Sequence, residues 1–209
     1  MSHYDCGVGL REQKKQQTRT ALADAALALF AEHGFEQVTV AEVAAEAGVS
    51  VNTAFNYFPT KEDLFFDRQS EVEGRLAAWV RGRPRGTSPV AAIRDEALRA
   101  LAEGDPTLGL SAEAGGFWRI VEESPSLRAR AREIAERSEA ALAAALAEES
   151  APGDPVPRLL AGALAGTFRA MVAEIRRKLA AGEEVEAVRA EMVAAVEEMF
   201  GAIGQRQRL

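Results

Sequence analysis

Ser50, Asn52, Thr53, Asn56, Tyr57 and Lys61 fall within one short stretch, SVNTAFNYFPTK. None of them is a nucleophile paired with a base, and no metal-ligand spacing accompanies them. Their chemistry is hydrogen bonding. Asn52, Thr53 and Asn56 carry short side chains able to bond base edges or phosphates, and asparagine to adenine is a favoured bidentate pairing in the major groove. Tyr57 joins an apolar ring to a hydroxyl that can donate to a phosphate. Lys61 stands in the first turn of a following helix, where a cation opposes the helix dipole. A phosphate at that N-terminus, held by backbone N–H groups and the ammonium together, would account for it. Phe55 has no polar handle and either meets a thymine methyl or packs; Phe58 is assigned to the core.

Such side chains need a short helix held outward. Ser50 is its N-cap and Pro59 its end. The preceding helix opens on TVAE, where Thr39 and Glu42 form a capping box, and it ends at Gly48. Two short helices joined by a tight glycine turn are the helix-turn-helix layout. Ala44 supplies the small residue that a steep crossing requires, and Gly48 allows a left-handed turn without a Cβ clash. Val43, Ala47 and Val49 fill the angle, with Ala54 and Phe58 from the second helix. Upstream, the spacing of Leu22, Ala25, Ala26, Leu29 and Phe30 predicts a helix from about residue 10 to His33, closed by Gly34. Downstream, Thr60 and Asp63 form another capping box. The spacing of Leu64, Phe65, Val72, Leu76 and Val80 then predicts a single helix to about Val80.

The chain has 209 residues and a formal charge of −7. That length allows one large domain or two small ones. Alanine dominates the apolar residues and no strand-like alternation appears, so the fold class is all-α. An acidic total fits contact with nucleic acid only where basic groups cluster on one face. Arg11, Lys14, Lys15 and Arg19 do cluster at the start of the first helix, either as a solvated helix start or as contacts to a polyanion. Asp24, Glu32, Glu36, Glu42 and Glu46 must point away from any phosphate. A single cysteine, Cys6, excludes an internal disulfide and fits a reducing compartment. The start MSHYDCGVGLREQKK lacks an apolar signal core, and no run of about 18 apolar residues exists, so a cytoplasmic chain without a membrane partner is expected. His3, His33 and Cys6 are too dispersed for an ordinary metal site, and His33 suits a helix C-terminus. No carboxylate pair stands out for acid–base work, so neither catalysis, metal nor cofactor is expected.

Beyond Val80, RGRPRGTSP is the best compositional candidate for a boundary. Four helix starts follow in one style, a capping residue before proline: Ser88-Pro89, Asp105-Pro106, Ser124-Pro125 and Asp154-Pro155. Proline at the first helical position loses no hydrogen bond and presets φ. Between Leu159 and Leu179 apolar residues occupy two sides, Leu160, Leu164, Phe168, Met171 and Ile175 on one, Leu159, Ala163, Gly166 and Ala170 on the other. The last helix carries Val185, Val188, Met192, Val196, Met199 and Ile203. A terminal helix pair with more apolar face than one domain covers predicts two-fold self-association.

Residues 18–66, TRTALADAALALFAEHGFEQVTVAEVAAEAGVSVNTAFNYFPTKEDLFF, resemble the N-terminal domain of the TetR family of bacterial transcriptional regulators. The resemblance rests on LFAEHGF, on TVAEVAAEAGVS and on the T-x-F-x-YF-x-x-KE-x-L tail; beyond it the chain matches only in length and helical character. It implies a helix-turn-helix DNA-binding domain over residues 1–66, with 1–9 a tail, and a helical ligand-binding and dimerisation domain over 67–209. It implies a homodimer joined through the last two helices, binding operator DNA as a repressor and responding to a small-molecule inducer. Carried over by position, Thr53, Tyr57 and Lys61 would meet the DNA backbone. Ser50, Val51, Asn52, Phe55 and Asn56 would approach bases or flanking phosphates, and the Thr39 backbone N–H would meet a phosphate. The family commonly has glycine in place of Asn52 and tyrosine in place of Phe55, departures that bear on the operator sequence. For the inducer, Phe117, Trp118, Phe168 and Met171 are candidates to line an apolar cavity, with ordinary core packing as the alternative. The rival functions are a helical-bundle enzyme or a protein-binding module that retains the helix-turn-helix without using it on DNA.

Overall fold

The computed structural model describes residues 6–111 and 114–205. In chain order the helices are α1 (Cys6–His33), α2 (Val40–Glu46), α3 (Val51–Tyr57), α4 (Lys61–Phe65), α5 (Gln69–Arg81), α6 (Pro89–Glu103), α7 (Ala114–Glu123), α8 (Pro125–Ala147), α9 (Val156–Ala180) and α10 (Val185–Gln205). A 3-10 turn spans Pro106–Leu108, and the described residues contain no strand. The all-α expectation therefore holds. No described helix is long and apolar enough to cross a membrane. The chain divides into two compact units. The first takes the chain through Arg68 together with Ile120–Arg128; the second takes Gln69–Arg119 and the chain from Ala129 on.

The first unit is built on the predicted apolar spacing. Leu22, Ala26 and Phe30 of α1 are fully buried, as are Val43 and Ala44 of α2, Ala54 and Phe58 around α3, and Leu64 of α4. The rings of Phe30, Phe35 and Phe65 meet with centroids 4.9–6.0 Å apart. Aromatic contacts at such distances add to the stabilisation from area burial alone. α1 is already helical at Cys6, earlier than its apolar stripe indicates, because each residue added to a nucleated helix gains a backbone bond. His3 and the first part of the expected tail lie outside the described residues.

Three features differ from the sequence expectation. The helix expected to run from Lys61 to Val80 is two helices. It stops at Phe66, whose φ of −98° and ψ of 54° leave the helical region. Arg19 Nη2 donates to the Asp67 carbonyl at 2.7 Å, taking up an oxygen that a continuous helix would use. Asp105-Pro106 opens only the 3-10 turn, because Gly109 at φ 71° ends it within three residues. RGRPRGTSP is not a boundary. It is the α5–α6 loop inside the second unit, where Arg83 donates to the Val80 and Thr87 carbonyls and pairs with Glu149.

The second unit has one core. Val90, Ile93, Ala97 and Leu101 of α6 pack with Leu164 and Ile175 of α9 and with Val188, Met192, Val196 and Phe200 of α10. α9 uses one of its apolar sides in this core. On the other side Leu159 is 72% exposed and Ala163 and Ala170 are exposed, while Met199 of α10 is 48% exposed.

Candidate nucleic-acid interface

The turn between α2 and α3 is fixed by its own backbone. Gly48 lies at φ 67°. Its N–H donates to the Ala45 carbonyl at 3.1 Å, and the Val49 N–H donates to the Ala44 carbonyl at 2.9 Å. That bond pair is the Schellman closure, which needs a left-handed residue at this point and so favours glycine. Ser50 then restarts the helix. Its Oγ accepts the Thr53 N–H at 3.1 Å and lies 2.8 Å from Thr53 Oγ1.

α3 turns Ala54 inward, and Phe58 just beyond it is buried. Val51, Asn52, Phe55 and Asn56 are exposed, with Phe55 at 45% and Val51 at 41%. Ser50 is exposed, and Thr53 and Tyr57 are half-buried. The outward face therefore offers two amides, three hydroxyls and an uncovered phenyl ring, and between residues 50 and 60 it has no formal charge. An uncharged, hydrogen-bonding ridge about 10 Å long suits the edge pattern of a major groove.

The charged groups flanking α3 already have partners. Lys61 Nζ donates to the Phe35 carbonyl at 2.8 Å, the Val38 carbonyl at 3.1 Å and the Glu36 carbonyl at 3.5 Å. It also lies 4.3 Å from the centre of the Phe35 ring. These contacts give a lysine at a helix start a structural reason that the sequence did not reveal. Arg19 Nη1 donates to the Tyr57 carbonyl at 3.4 Å, and its guanidinium stands 4.4 Å over the Phe58 ring. Thr39 is held by the predicted capping box. Its N–H and its hydroxyl both donate to Glu42 Oε2, at 2.7 and 2.8 Å. The Thr39 bonds hold the Glu42 carboxyl below the ordinary glutamate range. Ser124, which is buried, donates its hydroxyl to Glu36 at 2.6 Å, so the Ile120–Arg128 segment also braces the loop before α2. Nothing in the spacing of Glu36 and Ser124 signals that bond.

In the second unit the candidate ligand-lining residues are apart. Phe117 and Trp118 pack edge to face, and the Arg176 guanidinium covers the Trp118 ring at 4.7 Å. Phe168 packs edge to face on Trp79 at 5.6 Å, and Met171 is in the core. A cavity of about 460 Å3 opens beside Trp79, lined also by Arg75, Glu71, Arg99 and Asp105. Arg75 is buried there, 3.2 Å from Glu71 and 3.5 Å from Asp105. Phe168 thus stands behind one wall of this cavity without lining it. A second cavity of about 490 Å3 lies among Ala140, Ala143, Ala144 and Pro157. Among the described residues no group of three or more His, Cys, Asp or Glu side chains could hold a metal ion.

Residues 22–67 match the family described as bacterial regulatory proteins, tetR family. The chain is 32% identical over 145 residues to the HTH-type transcriptional regulator TcmR of Streptomyces glaucescens, a match covering 68% of this chain and 64% of that protein. It is 45% identical over 49 residues to the HTH-type transcriptional regulator BetI of Agrobacterium fabrum, covering 23% of this chain and 24% of that one. Both matches therefore span less than two thirds of the relative's own length. Among solved structures, NalD of Pseudomonas aeruginosa, described as the secondary repressor of the MexAB-OprM multidrug efflux pump, superposes with a TM-score of 0.57. That match has 19% identity over 88% of this chain and 97% of that one. At that identity the likeness concerns the fold.

Proposed function

The chain belongs to the TetR family of bacterial regulatory proteins, and from that premise we propose that it is a ligand-responsive, homodimeric repressor of transcription that reads DNA with α3. The observation that carries the reading is the outward face of α3. Asn52, Phe55 and Asn56 are presented to solvent from a helix whose entry, exit and back are all fixed locally. In each subunit that face enters a major groove, and the two heads of the dimer engage two half-sites of a near-palindrome. Asn52 and Asn56 read base edges, Val51 and Phe55 take up thymine methyls, and Ser50, Thr53 and Tyr57 meet phosphates. Thr39 and Lys61 work mainly by holding the ends of α2 and the loop before it, since their donors are already in use.

Residues 1–66 are then the reading head, and residues 67–209 bind effector and join the subunits through α9 and α10. The exposed Leu159, Ala163, Ala170 and Met199 supply an apolar surface for the dimer. The cavity beside Trp79, backed by Phe168, is the candidate effector site, with Phe117, Trp118 and Met171 shaping the surrounding packing. Ligand releases DNA if it binds the non-DNA conformation more tightly, since only differential affinity shifts the equilibrium. The test is a mobility shift on duplexes enriched by the protein from a random library, repeated over a range of salt. Specific binding that weakens steeply with salt supports the reading. Absence of any duplex preference at low salt removes it in favour of a protein-binding role.

A further inference from the structure

A face that reads DNA must be accompanied by cations, and α3 brings none. The first unit as a whole is acidic, with seven Lys and Arg against twelve Asp and Glu. Most of its cations are already engaged. Lys61 is held by three carbonyls, Arg19 by two, and Arg128 donates to the Glu122 carbonyl. Arg68 is also partnered. Arg11, Lys14 and Lys15 differ from these. All three are exposed, and no hydrogen bond or ion pair engages their charged side-chain groups among the described residues.

Their position is set by Arg19. Arg11, Lys15 and Arg19 stand at successive four-residue steps, one ridge of α1, and Lys14 flanks it three residues from Arg11. The Arg19 end of that ridge is fastened to the C-terminal end of α3 through the Tyr57 carbonyl. Lys15 and Arg11 therefore lie about 6 and 12 Å further along the axis of α1, on the side that Arg19 turns toward α3. Long, flexible cationic stems beside a neutral reading helix suit phosphate oxygens, which are contacted as charge without base preference.

We propose that Arg11, Lys14 and Lys15 form a phosphate-binding stripe that grips duplex DNA beside the groove occupied by α3. The stripe supplies the electrostatic part of binding that α3 lacks, and it rests on the DNA-binding reading above. The test compares the wild type with R11Q/K14Q/K15Q on a duplex enriched by the wild type from a random library, with binding followed by anisotropy from 50 to 200 mM salt. Each lost phosphate contact flattens the slope of log K against log salt by about 0.9, so three contacts reduce it by roughly 2.7 per subunit. Over that fourfold range the wild type then loses roughly 40-fold more affinity per subunit than the variant. The preferred sequence stays the same, and R11K/K14R/K15R keeps the wild-type slope. Glutamine keeps helix propensity, and a matching thermal melt shows that the head is folded. Equal slopes for wild type and R11Q/K14Q/K15Q on DNA that the wild type binds specifically would overturn the stripe and leave the regulator reading standing. Failure of the wild type to bind any duplex would overturn both.

Discussion

Replacing Lys61 with methionine keeps the aliphatic stem and removes the ammonium. In the structure that ammonium holds the loop between α1 and α2 through the Phe35 and Val38 carbonyls at 2.8 and 3.1 Å, with a longer contact to Glu36 and a place over the Phe35 ring. A hydrogen bond to a charged group contributes about 1.5–3 kcal/mol, and a cation over a ring at a partly exposed site about 0.5–1 kcal/mol. Two effects oppose these. Carbonyls at the loop surface can accept water once the ammonium is gone, and removing a cation from a first turn relieves about 0.3–1 kcal/mol of dipole repulsion. The balance is a loss of about 2 kcal/mol, or roughly 30-fold in the local opening equilibrium. Hydrogen exchange of residues 34–66 is the assay, because both tryptophans, Trp79 and Trp118, belong to the second unit and do not report on the head. K61M should speed exchange across α2 and α3 and weaken DNA binding in proportion. Unchanged exchange with lost DNA binding would refute the strut and return Lys61 to direct phosphate contact.

The other expectations are smaller and separable. Asn56→Ala, at an exposed position, should leave the melting temperature unchanged while altering the sequence recovered from a random duplex library. Gly48→Ala meets no atom within 4 Å but must hold φ near 67°, so urea unfolding of the head should show a loss of about 1–2 kcal/mol from strain alone. Burial raises the Asp67 carboxyl above its usual 3.8, and a raised carboxyl supports the fold most below its unfolded value and loses that support as pH rises through the folded one. Asp67→Asn should therefore raise the melting temperature at neutral pH, and the gain should vanish below about pH 3.8. Glu42 runs the other way: lowered from 4.5 by the Thr39 bonds, its support for α2 is lost as pH falls through the lowered value, and Glu42→Gln should remove that acid-side dependence of exchange in α2.

The helix-turn-helix was legible because its determinants are local. The Thr39–Glu42 box, the Gly48 closure, the Ser50 cap and the Ala54/Phe58 back face each join residues three to five positions apart or follow one helical stripe. What fastens this unit together was not legible. Lys61 reaches carbonyls 23 to 26 residues away, Arg19 reaches 38 and 48, and Ser124 meets Glu36 across 88. A lysine or arginine on a helix surface looks the same in sequence whether it faces solvent or a carbonyl. The break after α4 was hidden for a related reason. The spacing of Leu64, Phe65 and Val72 runs through it unbroken, while the cause, a carbonyl at Asp67 held by Arg19, is tertiary. In the second unit, aromatic residues suggested a cavity near Trp118, yet the Arg176 guanidinium occupies one face of that ring and a cavity opens beside Trp79 instead.

The central claim is that the exposed face of α3 lies against DNA bases. A photo-crosslinking phenylalanine analogue placed at position 55, with the protein on its own selected duplex, examines this contact directly. The account predicts crosslinks to bases within each half-site, on their major-groove side. Crosslinks only to protein, or none to a duplex that remains bound, would contradict it.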